Sequence, residues 1–65
     1  MKLAKLNRPT NPVYVNPVLV THIEEDISFK GATTKTKVYT RHSILYVTET
    51  VEEVVNAIND AFNAE

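Results

Sequence analysis

The sequence predicts an α+β protein, with a small, bent antiparallel β-sheet, barrel-like in its curvature, and one C-terminal α-helix. Residues 2–48 contain four to six short segments rich in β-branched and aromatic residues, separated by proline, asparagine or glycine, which is typical of strands. Residues 50–62 instead carry apolar residues every three or four positions, as in a helix that buries one side. We expect residues 1–65 to form a single domain, because so short a chain supplies only one core.

The first two strands are predicted at residues 2–6 and 13–15. Two prolines stand between them among asparagines and a threonine, so the chain is expected to turn there. In the second strand the two valines share one face and Tyr14 takes the other. Asn16 and Pro17 then interrupt the strand, and they predict a bend or a single helical turn.

A third strand is predicted at residues 18–24. Simple alternation places alternate residues on one face, namely Leu19, Thr21 and Ile23, and the others on the opposite face, namely Val18, Val20 and His22. Both faces are largely apolar, which favours a central strand or an interface. Residues 27–29 suggest a further short strand, and Gly31, the only glycine, predicts a loop.

Residues 35–40 and 44–48 predict two more strands, joined by a turn at residues 41–43. In the second of these strands, Ile44 and Tyr46 lie opposite Leu45 and Val47. One side of the first strand carries a basic stripe with an aromatic residue inside it: Lys35, Lys37, Tyr39 and Arg41.

The helix prediction has an independent signal at its start. Thr50 precedes Glu53 by three residues, which is the spacing of a capping box. The apolar stripe that follows is expected to face the sheet, and it consists of Val51, Val54, Val55, Ile58, Ala61 and Phe62.

The size of the chain favours a homo-oligomer, a symmetric dimer or a larger assembly. The chain has no cysteine, so disulfides cannot stabilise its small core. Nine valines, four isoleucines and four leucines are more than one helix stripe and one sheet face need, which favours a second buried surface. The residues predicted at this interface are Val18, Val20, Ile44 and Tyr46.

The composition also limits the functional classes. Net charge is −1, which argues against extended nucleic-acid binding, because that binding neutralises many phosphates. No apolar run reaches the roughly 18 residues of a membrane span, so we expect no membrane partner and a cytoplasmic location. His22 and His42 are too isolated to predict a metal site, and neither a nucleophile with a base partner nor a glycine-rich phosphate loop is evident. We therefore expect a protein that is not an enzyme and has no cofactor.

The order of several motifs resembles the FlbD-like family of small bacterial and phage proteins. The motifs are Tyr14-Val15-Asn16-Pro17, Ile23-Glu24-Glu25, and the strand-to-helix junction with Val47, Glu49, Glu52, Glu53 and Val54, where Thr50 stands in place of the family's serine. The resemblance covers most of the chain, although the hairpin lacks the family's glycine. It implies a non-enzymatic adaptor or regulator that binds protein.

An alternative function follows from the basic stripe. Cations flanking an aromatic ring can hold a phosphate and stack a base. In this alternative, Lys35, Lys37, Tyr39 and Arg41 bind a small anionic ligand such as a nucleotide at the oligomer interface, as in a phage-type sponge. The competing interpretation is an exposed strand face whose lysines prevent aggregation.

Overall fold

The structure, a computed structural model, describes residues 1–27 and 33–64. These residues form five strands, one short 3₁₀-helix and one α-helix. In chain order they are β1 (Ala4–Asn7), β2 (Pro12–Val15), the 3₁₀-helix (Pro17–Leu19), β3 (Val20–Glu25), β4 (Thr36–Thr40), β5 (Ile44–Val47) and α1 (Val51–Asn63). The predicted α+β class with one C-terminal helix is confirmed.

The strands form two antiparallel sheets, β1-β2 and β3-β4-β5. They do not close into a barrel, which corrects that part of the prediction. Asn7 and Glu49 connect the two sheets. The Thr48 N–H donates to the Asn7 carbonyl (2.8 Å), while the Asn7 N–H and side-chain amide donate to the Glu49 carboxylate (2.8–3.0 Å).

The core lies between the inner faces of both sheets and the helix. Its members come from all these elements except β3, and they are Ala4, Leu6, Val15, Val38, Val47, Val54, Ile58 and Ala61. The buried polar residue Thr36 lies at the edge of this core, and its hydroxyl donates to the Glu49 carbonyl (2.6 Å). A buried hydroxyl with a partner avoids the cost of an unpaired polar group.

The helix begins as predicted. Thr50 is its N-cap, and the Glu53 N–H donates to the Thr50 hydroxyl (3.2 Å) while the Thr50 N–H donates to the Glu53 carboxylate (3.0 Å). The predicted stripe is only partly buried, however, because Val55 and Phe62 are exposed. These two residues are seven positions apart on one flank of the helix, beyond the width that the small sheets can cover.

The structure corrects the start of the third strand. Pro17–Leu19 is a 3₁₀-helix, capped by the Asn16 side chain, which accepts from the Val18 N–H (3.0 Å). The helical turn predicted for Asn16 and Pro17 is therefore confirmed. The strand itself begins at Val20, two residues later than predicted, because the capped turn takes up Val18.

The predicted faces of this strand are also wrong, because the register between β3 and β4 shifts between Val20 and His22. A bulged residue breaks the two-residue period of side-chain direction. As a result Val20 and Ile23 both pack against the core, whereas His22 faces outward beside Tyr39.

Two further observations bear on the predicted elements. Of the strand predicted at residues 27–29, Ile27 is not in a strand, and the remainder, with the loop predicted at Gly31, lies outside the described residues. No helix in the described parts of the chain is long and apolar enough to cross a membrane.

Candidate functional site

The outer side of the β3-β4-β5 sheet presents a continuous surface, which we call the outer sheet face. Strand pairing sets its neighbours, since Tyr39 of β4 lies between His22 of β3 and Ile44 of β5. In the next row, Lys37 of β4 lies between Glu24 of β3 and Tyr46 of β5. The outer sheet face consists of His22, Glu24, Lys37, Tyr39, Ile44 and Tyr46.

Tyr39 is the centre of this surface. Its ring stacks on the His22 ring, with 3.9 Å between the ring centroids and 17° between the planes. Its hydroxyl donates to the Glu24 carboxylate (2.8 Å). This hydrogen bond lowers the pKa of Glu24 and raises the pKa of the Tyr39 phenol, because it stabilises the ionised carboxylate and the protonated phenol. Tyr39 is therefore held from two sides.

The charges on the outer sheet face are paired. The Lys37 ammonium lies 3.4 Å from the Glu24 carboxylate. Glu24 thus accepts from Tyr39 and Lys37 together, and the pair carries no net charge. A surface pair of this kind adds little to stability, typically about 0–1 kcal/mol, but it fixes the position of both side chains.

Beside these polar groups lie the apolar members of the surface. Ile44 and Tyr46 are 44% and 47% exposed, and their neighbours Leu45 and Val47 turn inward toward the core. The faces predicted for this strand are therefore confirmed. Ile44 pairs with Tyr39, and Tyr46 pairs with Lys37, so the outer sheet face combines aromatic, aliphatic and paired charged groups.

Two of the four residues of the predicted basic stripe lie within β4. Lys37 and Tyr39 lie on the outer sheet face, but Lys35 precedes β4 and Arg41 lies in the turn after it. Hydrogen bonds from Thr50 are the main cause of the lowered pKa of Glu53, at the start of α1, and the charge of Lys35 lowers that pKa further. Lys35 and Arg41 thus lie just beyond the two ends of β4, whereas Lys37 and Tyr39 lie within it.

The predicted interface residues are also divided. Ile44 and Tyr46 share the outer sheet face. Val18 is 51% exposed on the 3₁₀-helix, while Val20 is half-buried against the core. Val18 lies in the 3₁₀-helix and Val20 begins β3, so the helical turn separates these two valines, which the sequence placed on one strand face.

A second feature, which we call the Arg8 depression, lies next to the outer sheet face. It has a volume of about 540 Å³, and it is lined by the β1-β2 turn at residues 8–11, by Thr34 and by residues 44–46 of β5. Arg8 is half-buried, and its Nε atom is buried with no hydrogen-bond partner among the described residues.

The unpaired Arg8 nitrogen is unusual for a folded protein. Most buried polar atoms have a partner, and a buried donor without one costs about 1–3 kcal/mol, more if it is charged. The sequence treats residues 8–11 only as a turn, which the bond from the Arg8 N–H to the Asn11 carbonyl (3.0 Å) closes. No local sequence pattern predicts that this turn lies beside β5, because their proximity depends on the tertiary fold.

Comparisons of the chain with known protein families, with curated proteins and with solved structures gave no match. The FlbD-like resemblance therefore stays a prediction. Among residues 1–27 and 33–64, no three acidic or histidine side chains are grouped closely enough to hold a metal ion.

Proposed function

We propose that this protein is a small, non-enzymatic binding protein of the cytoplasm. It binds other protein molecules through its outer sheet face, and the first such partner is a second copy of the same chain. The observation that carries this proposal is the arrangement around Tyr39. Its ring is stacked on His22 and its hydroxyl is bonded to Glu24, so the aromatic surface is already ordered before any partner arrives. Such preorganisation reduces the entropy that association would otherwise cost.

Charge also favours a second copy as the partner. The outer sheet face contains one acidic and one basic residue, Glu24 and Lys37, which lie 3.4 Å apart. In a dimer with two-fold symmetry, the same patch meets itself. Glu24 of one copy can then face Lys37 of the other, and no like charges need to approach each other.

The size of the surface sets the expected affinity. A standard interface covers about 800 Å² per partner, which is roughly a fifth of the 4479 Å² that the chain exposes. The outer sheet face is smaller than this. It consists of three strands about 4.8 Å apart with two outward residues each, and its projected area is roughly 200 Å². Self-association through this face alone is therefore expected to be weak, with a dissociation constant above about 10 µM.

The test is sedimentation equilibrium from about 10 to 500 µM, a range chosen to bracket weak association. The double variant Ile44→Thr/Tyr46→Thr removes the apolar part of the surface while keeping residues that favour strands. Tyr14→Thr is the matched control, because Tyr14 is 59% exposed and lies on the β1-β2 sheet. We expect the wild type and the control to associate, and the double variant to remain monomeric.

A wild type that stays monomeric throughout this range would contradict the proposal, and so would a double variant that associates as well as the control does. Circular dichroism and a urea unfolding curve for each variant show that a lost association does not reflect lost folding.

The FlbD-like resemblance supports the same class of function, because it implies a non-enzymatic adaptor or regulator. The alternative function, an anionic ligand held by Lys35, Lys37, Tyr39 and Arg41, has less support from the geometry. Lys37 is already paired with Glu24, and Lys35 and Arg41 lie outside β4.

A further inference from the structure

In the described part of the chain, the Arg8 side chain contains a buried polar atom that has no hydrogen-bond partner. Its guanidinium is always charged at physiological pH, and a buried nitrogen of this kind normally faces a carboxylate, a phosphate or a carbonyl. Here the Nε atom has no acceptor among the described residues. Arg8 as a whole is half-buried and lines a depression, so a molecule from outside can reach the exposed part of its side chain.

The lining of the Arg8 depression has two chemical characters. On one side, the turn supplies Arg8 together with the hydroxyl of Thr10 and the amide of Asn11, and Thr34 adds a second hydroxyl. The opposite side is the β5 strand, residues 44–46, which is apolar and aromatic. Its volume of about 540 Å³ lies within the range of small-molecule sites, about 300–1,000 Å³.

We propose that the Arg8 depression binds an oxyanion, a carboxylate or a phosphate group, carried on a small apolar or aromatic body. The planar guanidinium can donate two parallel hydrogen bonds to either group. The hydroxyls of Thr10 and Thr34 already donate to Asn11 Oδ1 (3.0 Å) and to the Asp26 carboxylate (2.9 Å), so Arg8 is the main donor to the oxyanion. The body of the ligand then lies against Ile44 and Tyr46.

This inference does not depend on self-association through the outer sheet face. Arg8 and Thr10 belong to the β1-β2 turn and are not members of that face. It also differs from anion binding by the basic stripe, because it places the essential cation at Arg8 and gives Arg41 no role. The two arginines, the only ones in the chain, therefore provide a matched pair for the experiment.

The first experiment is a thermal-denaturation titration of the wild-type protein with sodium phosphate and, separately, with sodium acetate, at constant ionic strength maintained with sodium chloride. A ligand that binds the folded state raises the melting temperature in a saturable manner. Adenosine monophosphate and benzoate then test the apolar wall, because each adds an aromatic body to one of the two oxyanions. We expect each aromatic probe to bind more tightly than its parent ion, and the stronger pair identifies the oxyanion.

The variants locate the site. Arg8→Gln removes the charge, and we expect it to weaken binding of the best probe roughly 10- to 100-fold, as expected for loss of hydrogen bonds from a charged donor. Arg8→Lys keeps the charge but loses the two-pronged geometry, so it should recover only part of the affinity. Arg41→Gln should bind as the wild type does.

A measurement on the unmodified protein makes the test independent of how the variants fold. In a ¹H–¹⁵N NMR spectrum, the Nε–H signal of Arg8 should move on addition of the best probe, while that of Arg41 should not. The proposal is overturned if no probe gives a saturable shift, if Arg8→Gln binds unchanged, or if Arg41→Gln is the variant that loses binding. Because the outer sheet face is intact in Arg8→Gln, sedimentation of that variant separates this result from the test of self-association.

Discussion

Replacing Thr50 by alanine should destabilise the protein, because the Thr50 side chain completes the cap of α1. Its hydroxyl accepts from the Glu53 N–H (3.2 Å) and lies 3.1 Å from the Glu53 carboxylate. Loss of a threonine cap costs about 1 kcal/mol, with a range of about 0.5–2 kcal/mol. The unfolding entropy of a chain of this length is about 0.14 kcal/mol/K, so the melting temperature should fall by about 7 °C.

The same variant should also change the dependence of stability on pH. Hydrogen bonds from the Thr50 backbone and then from its hydroxyl hold the pKa of Glu53 below its usual value of 4.5. A carboxyl whose pKa is lowered in the folded state contributes stability above its unfolded pKa, and this contribution is lost as the pH falls through the folded pKa. The hydroxyl supplies part of the effect, so Thr50→Ala should cost more stability at about pH 7 than at about pH 3.

Urea unfolding followed by circular dichroism at both pH values measures these effects. Thr33→Ala is a suitable control, because Thr33 is exposed and lies outside the regular elements. Exposed substitutions away from special features usually change stability by less than about 0.5 kcal/mol. If Thr50→Ala unfolds at the same urea concentration as the wild type, or if its penalty is equal at the two pH values, the capping argument is refuted.

Two further predictions concern the outer sheet face and the helix flank. In an NMR titration, the Tyr39 ring should change its chemical shift above the usual phenol pKa of 10.0, and Glu24→Gln should move that midpoint downward, because the charged acceptor is lost. A midpoint that stays in place would contradict the bond between these residues. Ile58→Ala should cost about 2–5 kcal/mol, because Ile58 is buried, whereas the exposed Phe62 should tolerate serine with a change below about 0.5 kcal/mol. Equal losses in the two urea curves would mean that the helix packs differently.

The parts of the fold that could be predicted from the sequence depend on local interactions. The cap of α1 involves residues three positions apart, and the alternation in β5 involves adjacent residues, so both are visible in the sequence. The turn at Asn16 belongs to the same class, because the Asn16 side chain bonds to the Val18 N–H only two residues away. Such signals need no knowledge of the tertiary fold.

The parts that could not be predicted depend on contacts between distant segments. The bulge in β3 is accompanied by a bond from the Thr21 hydroxyl to the Tyr39 carbonyl (3.1 Å), across eighteen positions. Simple alternation along the sequence, which contains no sign of this contact, places Val20 and His22 on one face, and that prediction is wrong. The paired state of Lys37 likewise depends on Glu24, thirteen positions away, which is why the sequence alone makes β4 look more basic than it is.

The two proposed surfaces share Ile44 and Tyr46, and this sharing has a thermodynamic consequence. Both side chains belong to the outer sheet face and also line the Arg8 depression. If a second copy covers them, a ligand bound against Arg8 changes the free energy of self-association. Linkage requires that self-association change the affinity for the ligand by the same factor. If the ligand and the second copy compete for these two side chains, the oxyanion will weaken the dimer. If the ligand is bound between the two copies, the oxyanion will strengthen the dimer. The sign of the coupling therefore distinguishes an adaptor whose self-association the ligand opposes from a protein that holds its ligand at the dimer interface.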